Sequence, residues 1–369
     1  MHVLFLLIYI TMLLNSNSIH PLTQKLLSWY LINKRDLPWR DDPIAYHVWV
    51  AEIVFQQTRI EQGMAYYNRI IEHFPSVYKL AEADEKEVLQ LWEGLGYYSR
   101  ARNLHGSAKI IVEKYNGSFP SDYESILSLK GVGPYTAAAI SSIAFGIPKP
   151  AIDGNVLRVA SRLFCIEEPI NIQSTYKLIE RHLTKIIDTK IPGHFNQGMM
   201  ELGSMICKPQ NPDCFNCPIS EHCLAYSLGV QNELPVKKKK NAATNVYYHF
   251  YLFHNEEDIV IEKRINGIWK NMYQFPLLES KEELGDPEDE NFIGKFSIVN
   301  NYSFLESEIY KHILSHRIIF AKFIFVKLDE LNFSEPYIII KKTDLVNYPM
   351  PQILRKFLSS EEAKRNLLI

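Results

Sequence analysis

Cys207, Cys214, Cys217 and Cys223 crowd into 17 residues with the spacing C-x6-C-x2-C-x5-C. Thiolates at such short intervals suit a tetrahedral zinc or a cubane iron–sulfur cluster. Zinc sites usually pair two C-x2-C knuckles across a longer loop, and only one knuckle occurs here. Pro209, Pro212 and Pro218 keep the loop from closing as a helix. Cys165 stands apart and reads as a core residue. Two acids also stand out. Glu52 sits in the apolar run Val48–Phe55, where burial would raise its pKa and keep a proton available near neutral pH. Asp153, in Ala151-Ile152-Asp153-Gly154-Asn155-Val156, opens a helix after Pro148 and Pro150. It reads as an N-cap, as a carboxylate at a pocket rim with Asn155 beside it, or as both. Between two helical runs lies Leu129-Lys130-Gly131-Val132-Gly133-Pro134-Tyr135-Thr136. Gly131 and Gly133 permit a tight turn with positive φ while Val132 packs inward, and Pro134 starts the next helix. Such a turn exposes backbone N–H groups at a helix N-terminus, a ready phosphate site.

The elements that must hold these groups are helical from Pro21 to about Tyr226. Leu22, Leu26, Leu27 and Tyr30 recur at helical spacing, as do Tyr66, Ile70, Ile71 and Phe74, and Ile110 and Ile111 with Tyr115. Asp84 with Glu87 reads as a capping box before Val88-Leu89. After Leu228 the texture changes. A polar connector containing Pro235 and Lys237–Lys240 precedes the β-rich runs Val246–Phe253, Asp258–Ile261, Ile318–Leu328 and Tyr337–Ile340. Glu279–Glu290 reads as an exposed loop or short helix. The expected layout is a mainly α domain over 21–227, with the cysteine loop at 207–223, a linker over 228–245, and a smaller α+β domain over 246–369. The lysine run reads as a solvated linker or a phosphate patch. Residues 1–20 read as a leader or a misassigned start: Met1–Leu14 is apolar, no Lys or Arg precedes it, and Met12 is an alternative start.

The 369 residues suggest two or three domains, and 22% charged with 47% apolar residues excludes a disordered or fibrous chain. No run reaches the roughly 18 apolar residues of a membrane-spanning helix. Net charge is −2, split as +2 over residues 1–240 and −4 over 241–369. Affinity for nucleic acid would therefore come from local geometry and not from a bulk field. An odd cysteine count with four bunched residues points to a metal or cluster site in a reducing compartment, not to a secreted disulfide framework.

In order along the chain come Arg35-Asp36-Leu37-Pro38-Trp39-Arg40, Ala51-Glu52-Ile53, Gln56-Gln57-Thr58, and Trp92-Glu93-Gly94-Leu95-Gly96-Tyr97-Tyr98-Ser99-Arg100-Ala101-Arg102-Asn103-Leu104. With the hairpin, Asp153-Gly154-Asn155-Val156 and the cysteine run, they resemble the helix–hairpin–helix DNA glycosylases that carry an iron–sulfur cluster, and more narrowly the MutY adenine DNA glycosylases. The resemblance runs from about Leu22 to the C-terminus. It implies a helix–hairpin–helix domain, a [4Fe-4S] cluster on Cys207, Cys214, Cys217 and Cys223, and a Nudix-like C-terminal domain. It also implies removal of adenine mispaired with 8-oxoguanine in double-stranded DNA, with the adenine flipped into a pocket.

The resemblance gives Glu52 the role of general acid toward adenine N7, and ionised Asp153 that of stabilising the oxocarbenium sugar, with Asn155 orienting it. Arg40 and Glu201 fall where the family lines the adenine pocket, or form a structural ion pair. Gln57, Leu95 and Tyr97 match the wedge beside the orphaned lesion; ordinary core packing is the plain reading of the last two, against which Gly94 and Gly96 mark a projecting loop. Gly131, Val132 and Gly133 are the phosphate contact. Bifunctional relatives such as endonuclease III carry lysine where this chain has Tyr135, so water is the expected final nucleophile; Lys130 lies on the other side of the hairpin. In the C-terminal domain Gly267-Ile268-Trp269 and Gln274-Phe275-Pro276 match the early Nudix motif. Glu282-Glu283-Leu284-Gly285 matches only the end of a Nudix box, so pyrophosphate hydrolysis is not expected. Leu314-Ser315-His316 stands for the family's Phe-Ser-His loop, with Ser315 and His316 available to hydrogen bond the lesion. A monomer in the cytoplasm, on the nucleoid if the source is bacterial, completes the expectation. The competing readings are a bifunctional pyrimidine-lesion glycosylase-lyase, disfavoured by Tyr135 and the extra domain, and a cluster-bearing DNA-binding or electron-transfer protein in which Glu52 would be incidental.

Overall fold

The computed structural model describes residues 19–238, 243–282, 303–314 and 316–367. The leader, Lys239 and Lys240, Ser315 and the Nudix-box residues Glu283–Gly285 lie outside the described residues. Helices run in the order α1 Pro21–Asn33, α2 Pro38–Asp41, α3 Ala45–Val54, α4 Ile60–His73, α5 Val77–Glu82, α6 Glu85–Leu91, α7 Ser99–Tyr115, α8 Tyr123–Leu127, α9 Pro134–Phe145, α10 Gly154–Leu163, α11 Gln173–Ile186, α12 Pro192–Met205 and α13 Leu224–Ser227. Strands follow as β1 Thr244–His254, β2 Asp258–Lys263, β3 Tyr273–Gln274, β4 Leu277–Ser280, β5 Ser303–Glu306, β6 Tyr310–Ile313, β7 Arg317–Lys327 and β8 Tyr337–Lys341, then α14 Gln352–Leu358 and α15 Glu361–Leu367. The chain divides into two compact units. One comprises Met1–Glu82 with Asn103–Lys239, the other Ala83–Arg102 with Lys240–Ile369.

The first unit is helical. Prolines at the first turn of α1, α9 and α12 start helices at positions whose N–H groups need no intrahelical partner. Helix α9 packs on α3 and α12, and α12 also packs on α1 and α10. The approach of α9 and α12 is close because Gly193 has no side chain; a Cβ there would stand 2.8 Å from Ile143 Cα and from the Ser142 carbonyl oxygen. Leu22, Leu26 and Leu27 of α1 join Val156, Val159, Phe195, Met199 and Leu202 in one buried body. A smaller core of Ala138, Ala139 and Ala151 lies under Tyr135 and Met200. Cys165 is half-buried with φ 51°, not a core thiol as expected: it follows the end of α10, where a left-handed residue stops the helix. Of the expected α4 face, Ile70 is buried but the buried tyrosine is Tyr67, one residue on from Tyr66.

The second unit is a mixed sheet. Strands β1 and β7 pair in parallel over Thr244–His254 and Arg317–Lys327. Strand β4 pairs antiparallel with β1, strands β5 and β6 with β7, and strands β3 and β8 with β2. From Tyr248 to His254 every β1 residue is buried, with no alternation between the faces, because both faces are covered. Phe323 stacks on Phe357 of α14. The acidic stretch begins as a strand: Tyr247 pairs with Ser280 and Tyr248 with Glu279, so cross-strand hydrogen bonding overrides its polar composition. Asp84 caps α6 through the Lys86 N–H, within this unit. No helix among the described residues is long and apolar enough to cross a membrane.

Candidate active site

A pocket of about 720 Å³ in the first unit is lined by Arg35, Arg40, Glu52, Gln57, Tyr135, Asp153, Asn155, Met200 and Glu201, among others. Helix α3 delivers Glu52, the one acid among residues otherwise buried or apolar. Burial raises its carboxyl from the ordinary 4.5 to about 7, with Asp153 adding to the rise. A hydrogen bond with Tyr135 and the charge of Arg40 act against it. The Tyr135 phenol is itself pushed well above 10 by burial and by the two acids, so it stays neutral and can donate.

Asp153 is the N-cap of α10. Its Oδ1 accepts the Val156 N–H at 2.7 Å, and its Oδ2 accepts the Asn155 amide at 2.8 Å. Burial raises its pKa, while these two donors and the Arg158 charge hold the anion against that rise. Capping and chemistry thus use the same atoms, and both sequence readings apply to one residue. Arg158 continues the chain of bonds: it donates to Asn155 Oδ1 at 2.9 Å, to the Gly203 carbonyl at 2.7 Å and to the Cys207 carbonyl at 2.8 Å.

Glu201 is completely buried and bound by two arginines. Arg35 donates its backbone N–H and Nε to Oε1, both at 2.9 Å, and Nη2 to Oε2 at 2.6 Å. Arg40 adds bonds of 3.1 and 3.3 Å. Burial alone would raise the Glu201 carboxyl, but the two guanidinium groups bring it down to about 2. Arg40 and Glu201 are therefore an ion pair that also lines the pocket. Arg35 and Arg158 are the members that reading the sequence left out; Arg35 stood in the quoted Arg35–Arg40 motif, while Arg158 carries no local signal.

In the hairpin, Gly131 has φ 78°, and a Cβ there would stand 2.7 Å from Asn103 Cβ. Gly133 does not take a positive φ as expected; at −94° it is the N-cap residue of α9. Val132 is buried, with Leu129 and Ile126 beneath it. Ser107 fixes the turn from behind by donating to the Lys130 carbonyl at 3.1 Å. Gln57 is exposed with φ 58° and lines the pocket.

The four clustered thiols line one cavity together with Arg162 and Asp213. Among the described residues no three His, Cys, Asp or Glu side chains are arranged to share a single metal ion. Burial pushes the Cys217 thiol to about 12 and raises Cys214 and Cys223, and neighbouring cysteines add to the rise.

The remaining predicted residues lie in the second unit. Leu95 is 6% exposed, packed and not projecting, because the turn made by Gly94 (φ 94°) and Gly96 (φ 75°) folds it inward. The same turn leaves Tyr97 49% exposed with φ 49°. Trp269 of the early Nudix motif is buried against Tyr248 and His312. The β6–β7 turn is narrow: the Leu314 N–H donates to the Arg317 carbonyl at 2.9 Å, and the Thr244 N–H to the His316 carbonyl at 3.2 Å. His316 is exposed at its tip.

Comparison with known proteins finds two families along the chain, the first of which spans residues 83–102 that pack with the second compact unit. Residues 50–189 match the HhH-GPD superfamily of base excision DNA repair proteins, and residues 248–360 match the NUDIX domain. The adenine DNA glycosylase of Buchnera aphidicola subsp. Schizaphis graminum is 36% identical over 270 residues, covering 72% of this chain and 77% of that protein. That of Buchnera aphidicola subsp. Baizongia pistaciae is 34% identical over 318 residues, covering 84% and 87%. The human adenine DNA glycosylase is 42% identical over 222 residues, covering 57% and 40%. Among solved structures, a thermostable thymine-DNA glycosylase aligns with a TM-score of 0.52 at 26% identity, over 56% of this chain and 95% of that one. A helical repair domain with two acids on one pocket, a Nudix-like sheet domain after it, and relatives matched over most of their length together establish that the chain belongs to the adenine DNA glycosylase family of base-excision repair enzymes.

Proposed function

We propose that this protein hydrolyses the N-glycosidic bond of adenine lying opposite 8-oxoguanine in duplex DNA, without a covalent lysine intermediate. The observation that carries the proposal is two acids of different surroundings on one pocket: Glu52, raised to about 7 by burial, and Asp153, also raised by burial but with both carboxylate oxygens accepting hydrogen bonds, from a backbone N–H and an amide. Protonated Glu52 gives its proton to adenine N7, and the bond from C1′ to N9 breaks with its electron pair leaving on the base. The sugar becomes an oxocarbenium ion, stabilised by the Asp153 carboxylate across the pocket. Water adds to C1′ and its proton returns to Glu52. Tyr135 orients Glu52, and no amine occupies that position to form a Schiff base.

Buried Glu201 and Arg40, closed on the solvent side by Arg35, form a charged, fixed wall for the base. Gly131, Val132 and Gly133 take a DNA phosphate on uncharged backbone donors. Gln57 and Tyr97 fill the vacated stack, and Leu95 must leave its packed position to join them. Ser315 and His316 read the lesion.

The four thiols suit a [4Fe-4S] cluster. They surround one cavity, which a polynuclear group would bridge better than a single ion, and the buried Arg162 guanidinium supplies positive charge beside them. When bound, the cluster staples the loop that carries Lys208; Cys207, Cys214, Cys217 and Cys223 would hold it. A single-turnover assay on a duplex with one 8-oxoguanine·A pair, run with and without borohydride, tests the whole reading. Adenine release with strand breakage only after alkali, and no trapped complex, is expected. Efficient trapping would overturn the monofunctional mechanism, and absence of release would overturn the substrate.

A further inference from the structure

Arg162 is 1% exposed and makes four hydrogen bonds from α10. Three go to the cysteine loop: Nη1 to Cys207 Sγ at 3.2 Å and to the Lys208 carbonyl at 2.7 Å, and Nη2 to the Pro209 carbonyl at 3.1 Å. The fourth goes elsewhere. Nε donates to the carbonyl of Leu234 at 2.9 Å, at the start of the connector. From there the connector is held at every second residue, Leu234, Val236 and Lys238. The Ile170 N–H donates to the Val236 carbonyl at 3.0 Å. The Asn171 side chain then binds both backbone groups of one residue: Nδ2 donates to the Lys238 carbonyl at 3.0 Å, and Oδ1 accepts the Lys238 N–H at 2.8 Å. Lys237 and Lys238 are exposed, while the Lys238 backbone is bound on both sides by Asn171. The sequence suggested a solvated linker or a phosphate patch; the exposure of Lys237 and Lys238 agrees with solvated side chains, and the backbone bonds add an anchor that the sequence did not show.

We infer that Arg162 joins the cysteine loop and the interdomain connector into one mechanical unit, so that losing the cluster releases the connector. The inference rests on the reading that the four cysteines hold a cluster. A guanidinium is rigid and planar, with its donors in a fixed fork, so the bonds to the loop and to Leu234 share one orientation. A cluster-bound thiolate is a charged acceptor for Nη1, and the bound loop keeps the Lys208 and Pro209 carbonyls in place. Without the cluster nothing ties the four cysteine side chains together, and the Lys208 and Pro209 carbonyls that seat the guanidinium are no longer held in place. The plane of Arg162 then loosens, and Leu234 with it. The state of the cluster is thereby converted into the freedom of the tether that carries the lesion-reading domain.

Limited trypsin digestion of the intact protein tests this, because the bonds after Lys237 and Lys238 are protected only while the strap holds. Cleavage is mapped by mass spectrometry, with iron content and visible absorbance measured on the same samples. Asn171→Ala should raise cleavage there by about tenfold with iron unchanged, since it removes two hydrogen bonds far from the thiols. Arg162→Gln should raise it similarly. Wild-type protein stripped of iron should reach the rate of Arg162→Gln. Iron-loaded protein that keeps its connector protected after stripping would overturn the coupling while leaving the cluster reading intact. Freshly purified protein without iron would overturn the cluster reading itself, and the coupling with it.

Discussion

Replacing Glu52 by glutamine keeps shape and removes the titration. In the folded protein this carboxyl ionises near 7, against an ordinary 4.5. The native state therefore holds the proton more tightly than the unfolded chain does. The sign follows: the wild-type contribution is intact below about pH 4.5 and is lost as pH rises through 7, where an anion must be kept in a desolvated wall. At about 1.36 kcal/mol per pH unit, the stability advantage of Glu52→Gln should grow from about 1 kcal/mol at pH 5 to about 3 kcal/mol above pH 8, on top of any pH-independent offset. Urea unfolding followed by tryptophan fluorescence, done for both proteins across this range, measures the difference directly. The same ionisation should govern chemistry. For adenine release by the wild type, kcat/KM should fall about tenfold per unit above pH 7, reaching about thirtyfold at pH 8.5, because it reports the acid of the free enzyme. Glu52→Gln should release no measurable adenine. A stability difference that does not vary with pH, together with a rate that holds level to pH 8.5, would refute the buried-acid reasoning.

Arg158→Gln removes the bonds to Asn155, Gly203 and Cys207 that support Asp153 from behind; single-turnover release should slow about 10- to 100-fold while DNA affinity, measured by titration of a non-cleavable duplex, changes little. Gly203→Ala would put a Cβ 2.7 Å from Asn155 Cβ, so it should slow release in the same way, and adding Arg158→Gln to it should cost less than the two losses combined. Tyr135→Lys brings an amine to the wall shared with Glu52 and Asp153; borohydride should then trap a covalent complex that the wild type does not give.

What could be read from the sequence follows a physical division. Glu52, Asp153 and the four cysteines announce themselves because an acid in an apolar helix, an acid before a helix start and bunched thiols are each costly without a purpose. Long strands such as β1 and β7 were legible from dense aromatic and β-branched runs. Short strands were not: the four residues of β4, Leu277-Leu278-Glu279-Ser280, are too few to show a period, and the pairing with β1 is a long-range property. Arg158 and Arg162 were invisible for a related reason. An arginine on a helix looks like a solvated face until its partners are known, and theirs come from carbonyls 45 to 72 residues away. The packed position of Leu95 was not legible because two glycines signal a turn without saying which way its side chains fold.

The hairpin has a consequence for how such a protein meets its polymer. In the function proposed above its phosphate contact would use neutral amides, and the chain as a whole carries a formal charge of −2. Each lysine or arginine that replaces a counterion on DNA steepens the dependence of affinity on salt; a neutral amide does not carry that term. Binding built this way has short reach. It gives little long-range steering toward DNA and little purchase on a duplex that does not fit, but what it does hold survives at salt concentrations that would strip a basic protein away. Local fit, more than attraction at a distance, then decides where on a long duplex the enzyme stays.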